Sequence, residues 1–92
     1  MRIILCDDDT QFMQSFSKQL FSILQKHGVI PKVILTHTGL DALREITHQP
    51  TDVLFLDIDM PSLNGIELAQ NYLQNHDDTT IIFITNKYDL VF

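Results

Sequence analysis

The chain has little of three features that would each place it in a broad class of protein. It contains one cysteine, Cys6, in 92 residues, so it cannot form an internal disulfide and does not resemble a secreted disulfide scaffold. Its 6 Lys+Arg face 12 Asp+Glu, for a formal net charge of −6, which argues against a basic surface that binds nucleic acid directly. No apolar run approaches membrane-spanning length. We therefore expect a cytoplasmic protein without membrane contact, in which Cys6 is a buried core residue.

Four short apolar runs punctuate the chain. Hydrophobic residues make up 45% of the sequence, which is enough for the core of one small domain. Each run is too short for a buried helix and is rich in Ile or Val, as is typical of strands covered on both faces in a parallel sheet. The predicted strands are Ile3–Cys6, Val33–Leu35, Val53–Leu56 and Ile81–Ile84.

Three stretches between these runs have the apolar spacing of amphipathic helices. The first spans Thr10–His27, where Asp9 or Thr10 can cap the start and Gly28 can end the helix. The second begins at a variant capping box, Thr38–Asp41, and the third spans about Gly65–His76. Predicted inward-facing residues are Phe12, Met13, Phe16, Leu20, Phe21 and Leu24 in the first, Leu40, Leu43 and Ile46 in the second, and Ile66, Ala69, Tyr72 and Leu73 in the third.

The resulting order, βαβαβαβ, predicts a parallel sheet with helices on both faces and a ligand site at the carboxyl ends of the strands. Asp7 and Asp8 follow the first strand, and Asp57 follows the third. If these strands are neighbours, the three carboxylates converge and repel, so that one must take up a proton or find a cation. Hard oxygen ligands suit Mg²⁺. Thr85, after the fourth strand, adds a hydroxyl donor, and such a set suits phosphoryl transfer.

These residues resemble the receiver domain of bacterial two-component response regulators. The resemblance covers essentially the whole chain and implies a flavodoxin-like (CheY-like), doubly wound α/β fold. Within that family the chain looks most like regulators of the LytTR type. The motifs that carry the resemblance are the strand ending in Asp7-Asp8, Asp57 followed by Asp59-Met60-Pro61 and Asn64-Gly65, Thr85 after the fourth strand, and the stretches 55–61 and 83–89.

The resemblance implies a role for each site residue. Asp57 accepts the phosphoryl group, donated by a sensor histidine kinase, to control transcription through an effector domain. Asp8 and Asp57 supply side-chain oxygens to Mg²⁺, Asp59 supplies its backbone carbonyl, and Asp7 holds metal-bound water. Thr85 hydrogen-bonds the phosphoryl group. Such a module is a signalling phosphoacceptor rather than an enzyme with turnover of a separate substrate.

A receiver of this kind continues beyond Phe92 with a fourth helix, a fifth strand carrying a Lys that contacts the phosphoryl group, and a fifth helix. Lys87 does not occupy the matching place. Residues 1–92 are therefore interpreted as a receiver domain truncated after the fourth strand, without an effector domain. We expect phosphorylation to be slow or absent without that Lys, and self-association through the unpaired edge of Ile81–Ile84.

Two other functions fit part of the pattern. The Asp57-Ile58-Asp59 triplet matches the Asp-x-Asp signature of haloacid dehalogenase-type phosphatases, but Pro61 stands where that family has Thr or Val. A non-phosphorylated pseudo-receiver, acting only as an interaction module, would keep the acids without the chemistry. Turnover of a phosphate ester or phosphodonor labelling separates these alternatives from the first interpretation.

Overall fold

The computed structural model describes residues 1–59, 67, 70 and 78–84. Each of the four predicted strands is present and is slightly longer than predicted. Of the predicted third helix, only Glu67 and Gln70 are described, and both are helical and exposed. The remainder of that prediction lies outside the described residues, as do Pro61, Thr85 and Lys87. The elements are β1 (Arg2–Cys6), α1 (Thr10–Lys26), β2 (Lys32–Thr36), α2 (Gly39–His48), β3 (Val53–Asp57) and β4 (Thr80–Ile84).

The four strands form one parallel sheet in the order β2-β1-β3-β4, which confirms the doubly wound α/β prediction. Strand β1 lies in the interior, where Ile4 pairs with Ile34 of β2 and with Leu54 of β3. Strand order changes direction at β1, since β2 lies on one side of it and β3 on the other. The carboxyl ends of β1 and β3 are therefore neighbours at the switch point, where such sheets bind ligands.

Apolar side chains fill both faces of the sheet, as alternation along buried strands requires. On the face covered by α1, Ile3, Leu5 and Met13 form a buried cluster against which Phe16 packs. Phe16 meets the ring of Phe55 edge-on, with ring centroids 5.1 Å apart. The cluster on the other face, covered by α2, consists of Ile4, Cys6, Ala42, Ile46, Leu54 and Leu56. Cys6 is thus a core residue, as predicted.

Capping interactions define both ends of helix α1. The Asp9 side chain accepts a hydrogen bond from the Phe12 N–H at 3.0 Å, so Asp9 is the N-cap. At the other end Gly28 adopts φ +78°, and the N–H of Val29 donates to the carbonyl of Leu24 at 2.9 Å. This is a Schellman motif, whose left-handed residue favours glycine.

Two predicted core residues lie on the surface instead. Leu40 is 54% exposed, because the buried face of α2 passes through Gly39, Ala42 and Ile46. Phe21 is 38% exposed and lines a surface groove beside Val33 of the edge strand β2. In the described part of the chain, no helix has both the length and the apolar character needed to cross a membrane.

Candidate functional site

Three carboxylates from two neighbouring strands meet at the carboxyl end of the sheet. Asp7 and Asp8 directly follow β1, and Asp57 is the last residue of β3. One oxygen from each carboxylate lies within 4.8 Å of the other two. We call Asp7, Asp8 and Asp57 the acidic rim. The structure therefore brings together the three side chains on which the predicted metal site depends.

Burial makes the acidic rim electrostatically costly. Asp7 is fully buried and Asp57 is 4% exposed, whereas Asp8 is exposed. Buried like charges at this spacing repel through a medium that screens them poorly. A divalent cation removes this cost, and the donor set consists of hard oxygens of the kind that Mg²⁺ prefers. The residues at this site therefore fit Mg²⁺.

Each of the two buried carboxylates is held by a backbone N–H two residues further along the chain. The N–H of Asp9 donates to Oδ1 of Asp7 at 2.9 Å, and the N–H of Asp59 donates to Oδ1 of Asp57 at 2.9 Å. The same local turn thus orients both side chains. Helix α1 begins at Thr10, immediately after this turn, and its partial positive N-terminus favours the negative charge of the rim.

The end of β1 is also tied to the last residue of β2 and to the segment after it. The N–H of Asp7 donates to the Thr36 carbonyl at 3.2 Å, and Cys6 Sγ donates to the Thr38 carbonyl at 3.4 Å. Burial raises the pKa of the Cys6 thiol from 9.0 to about 11, with further increases from Asp7, Asp57 and Asp41, against a decrease from its hydrogen bond with Thr36. The thiol beneath the rim is therefore held protonated.

The other sequence-predicted positions divide into three groups. Asp59 lies in the turn after β3, and its N–H already serves Asp57; a metal-binding role for its carbonyl stays a prediction. Thr85 lies outside the described residues. Asp9 caps α1, and it is one of the two residues that the sequence offered for that role. Sequence reasoning missed Thr36, although its position at the end of the second strand placed it at the same edge of the sheet.

Comparison with known proteins gives a consistent result. The family model described as "Response regulator receiver domain" matches residues 3–91. The transcriptional regulatory protein YpdB of Escherichia coli K12 is 35% identical over 85 residues, which cover 92% of this chain and 33% of YpdB. Response regulator MprA of Mycobacterium avium is 34% identical over 85 residues, covering 92% of this chain and 35% of MprA. The chain thus spans about a third of the length of these curated relatives.

Solved structures share the fold. A two-component transcriptional regulator AraC from Clostridium phytofermentans matches with a TM-score of 0.77 over 98% of this chain and 70% of that one, at 23% identity. A second match is the complex of histidine kinase ThkA with response regulator protein TrrA, with a TM-score of 0.69 at 27% identity, covering 98% of this chain and 74% of the matched chain. The first likeness concerns the fold alone.

Proposed function

The chain belongs to the response regulator receiver domain family, and from this premise we propose that Asp57 is its phosphoryl acceptor. The domain acts in two-component signalling. The observation that carries the residue assignment is the acidic rim itself, in which Asp57 ends a core strand beside Asp7 and Asp8 with ligand oxygens within 4.8 Å. An aspartate with only a structural role at the end of a strand would not need two further carboxylates beside it.

Mg²⁺ is the proposed cofactor. Side-chain oxygens of Asp8 and Asp57 and the backbone carbonyl of Asp59 would hold it, and Asp7 would hold a metal-bound water. When bound, the ion supplies charge neutralisation for the incoming phosphoryl oxygens. The partial exposure of the rim supports this arrangement. Exposed Asp8 leaves the cluster open to solvent, while backbone N–H groups hold the carboxylates of Asp7 and Asp57 in place.

The chain's own residues do the positioning. The Asp59 N–H occupies Oδ1 of Asp57 and fixes the orientation of the carboxylate that attacks phosphorus. Ile84 pairs with Asp57 across the sheet, and Thr85 follows Ile84 in the sequence. We include in the proposal that the Thr85 hydroxyl donates a hydrogen bond to the phosphoryl group.

A sensor histidine kinase is the proposed phosphoryl donor, and the cytoplasm the proposed location. The ThkA–TrrA complex supports a kinase partner for a domain of this fold. The exposed surface of α1 also suits protein contact, since Phe21 and Ile23 are exposed beside Lys18. Control of transcription through an effector domain of the longer regulator completes the proposal.

Self-association through β4 is a further part of the proposed function. Strand β4 is the last of the described sheet, and Ile82 and Phe83 are 43% and 46% exposed. Exposed apolar strands of this kind tend to pair with another chain. Sedimentation of the chain at increasing concentration should show a growing average mass, and a monodisperse monomer throughout would contradict this part.

Phosphodonor labelling tests the acceptor. The chain is incubated with acetyl phosphate, with and without Mg²⁺, and followed by intact mass measurement. We expect slow, Mg²⁺-dependent gain of one phosphoryl group in the wild type and none in Asp57→Asn. Asp52→Asn is a matched control, because Asp52 lies at the opposite end of β3 and is exposed; it should label like the wild type.

Two results would contradict the proposal. They are equal labelling of wild type and Asp57→Asn, and labelling of the wild type that does not depend on Mg²⁺. Repeating the reaction with a phosphorylated histidine kinase as donor tests the partner separately from the acceptor.

A further inference from the structure

Thr36, the last residue of β2, forms hydrogen bonds with the residues before and after Cys6 at the end of β1. Thr36 Oγ1 donates to the Leu5 carbonyl at 3.0 Å, and the Thr36 carbonyl accepts from the Asp7 N–H at 3.2 Å. Thr36 therefore grips β1 on both sides of Cys6. Its hydroxyl is well placed to do so, because the Thr36 residue is only 5% exposed and water competes little for the bond.

These hydrogen bonds lie at the end of β1, next to the carboxylates of the site, where small displacements matter. Asp7 is fully buried, so its carboxylate cannot compensate for a backbone shift by swinging into open solvent. A binding site generally needs its ligand groups within about 0.5 Å of the productive geometry. Loosening the peptide between Leu5 and Asp7 would move the Asp7 carboxylate relative to Asp8 and Asp57.

We infer that Thr36 is a positioning residue for the acidic rim. By holding Leu5 with its hydroxyl and Asp7 with its carbonyl, it sets the spacing of the Asp7 carboxylate from the other two acids, and so the affinity of the rim for a divalent cation. This inference rests on the proposed function, since it assigns Thr36 a part in Mg²⁺ binding.

Two substitutions at this position separate the hydroxyl from the shape of the side chain. Thr36→Val keeps the volume and removes the donor, whereas Thr36→Ser keeps the donor. The chain also offers a matched control at the other end of the sheet. Thr79 is 8% exposed and donates through Oγ1 to the Thr51 carbonyl at 2.6 Å, so Thr79→Val removes a similar buried bond far from the rim.

Mg²⁺ titration gives the first readout. We expect Thr36→Val to bind Mg²⁺ about tenfold more weakly than the wild type, at the lower end of the effect of residues that support metal ligands. Thr36→Ser should restore the affinity. Thr79→Val should lose a comparable amount of thermal stability while keeping the wild-type affinity. Equal Mg²⁺ affinities for Thr36→Val and Thr79→Val, whether reduced or not, would overturn the inference.

Amide hydrogen exchange of the Asp7 N–H, measured without metal, gives a second readout that does not need the cation. We expect this exchange to be about fivefold faster in Thr36→Val than in Thr79→Val, the factor that corresponds to the loss of one ordinary hydrogen bond beside Asp7. Unchanged exchange at Asp7 would also overturn the inference. A wild type that fails to bind Mg²⁺ would count against the proposed function, while the exchange measurement would still decide whether Thr36 holds Asp7.

Discussion

The two ends of the sheet treat charge in opposite ways. At the carboxyl end, the acidic rim brings three carboxylates together, with two of them buried. At the amino end, a cation is surrounded by acceptors: Arg2 donates to the carbonyls of Glu45 and Gln49, to Oγ1 of Thr51 and to Oε2 of Glu45. We call this second group the Arg2 network.

This contrast separates residues that serve function from residues that serve stability. The Arg2 network joins the start of β1 to the end of α2 and to the segment before β3, with Arg2 Nη2 2.9 Å from the Glu45 carboxylate. Its charges are compensated within the fold. The acidic rim instead places like charges side by side, so its stability depends on what binds there. A folded protein can keep such a cluster when a ligand that binds there stabilises the folded state.

The largest expected effect is on Mg²⁺ affinity at the rim. Asp8→Asn removes a charged ligand that is exposed, so the fold should survive the change. We expect Mg²⁺ affinity to fall about a hundredfold, the upper end for changes in metal support, which is about 2.7 kcal/mol. Stability without metal should rise, because one of three repelling charges is gone. Calorimetric titration and urea unfolding in chelator measure the two quantities.

An opposite sign for either quantity would break the comparison. If Asp8→Asn destabilised the metal-free protein, the rim would be stabilising in itself, like the Arg2 network. Asp78→Asn is a suitable control, since Asp78 is also exposed but precedes β4 at the amino end. It should leave Mg²⁺ affinity unchanged.

The next effect should appear at the Arg2 network and leave Mg²⁺ binding intact. Arg2→Met keeps most of the apolar stem and removes the hydrogen bonds of the guanidinium. We expect a loss of about 2 kcal/mol in the free energy of unfolding. The loss is moderated because Glu45 is 42% exposed in its side chain and because Arg2 Nε is buried without a partner in the described part. Urea unfolding measures the loss, and a reduced Mg²⁺ affinity would show that the two ends are coupled.

The acidic rim was easier to predict than the Arg2 network for a physical reason. Acids that follow apolar strands converge by topology, because parallel strands end at the same edge. The strand pattern therefore predicted the meeting of Asp7, Asp8 and Asp57. Arg2 and Glu45 are far apart in sequence, and nothing in the spacing of either residue shows which side of α2 faces the start of β1. Glu45 is accordingly not among the inward-facing residues that the sequence predicts for the second helix.

The same limit explains the errors in the helices. Periodicity predicted α1 and α2, and residue type offered Asp9 or Thr10 as the first cap and Thr38 as the second, but periodicity does not fix how wide the buried stripe is. Phe21 and Leu40 lie at the margins of their stripes, where contact depends on the neighbouring element. Thr36 was missed because its role comes from bonds to backbone carbonyls, which no side-chain pattern reports.

The smallest expected effect is a loss of folding stability at alkaline pH, and it concerns Cys6, directly beneath the rim. Burial, and then Asp7, Asp57 and Asp41, raise the pKa of its thiol from 9.0 to about 11. The folded state therefore holds the proton more tightly than the unfolded chain. The resulting stability is complete below pH 9 and is lost as the pH rises through about 11. At pH 10 the loss should be about 1.4 kcal/mol.

Cys6→Ala isolates this contribution from that of other alkaline groups. The variant loses the bond to the Thr38 carbonyl and should be less stable near neutrality, but its stability should fall less between pH 8 and pH 10. Urea unfolding at both pH values measures the difference in slope. Asp57→Asn should also reduce the loss of stability between pH 8 and pH 10, but by less than Cys6→Ala does. The reason is that the charge of Asp57 adds less to the pKa of Cys6 than burial does. Parallel pH profiles for Cys6→Ala and wild type would show that the thiol beneath the rim ionises without an added cost in the folded state.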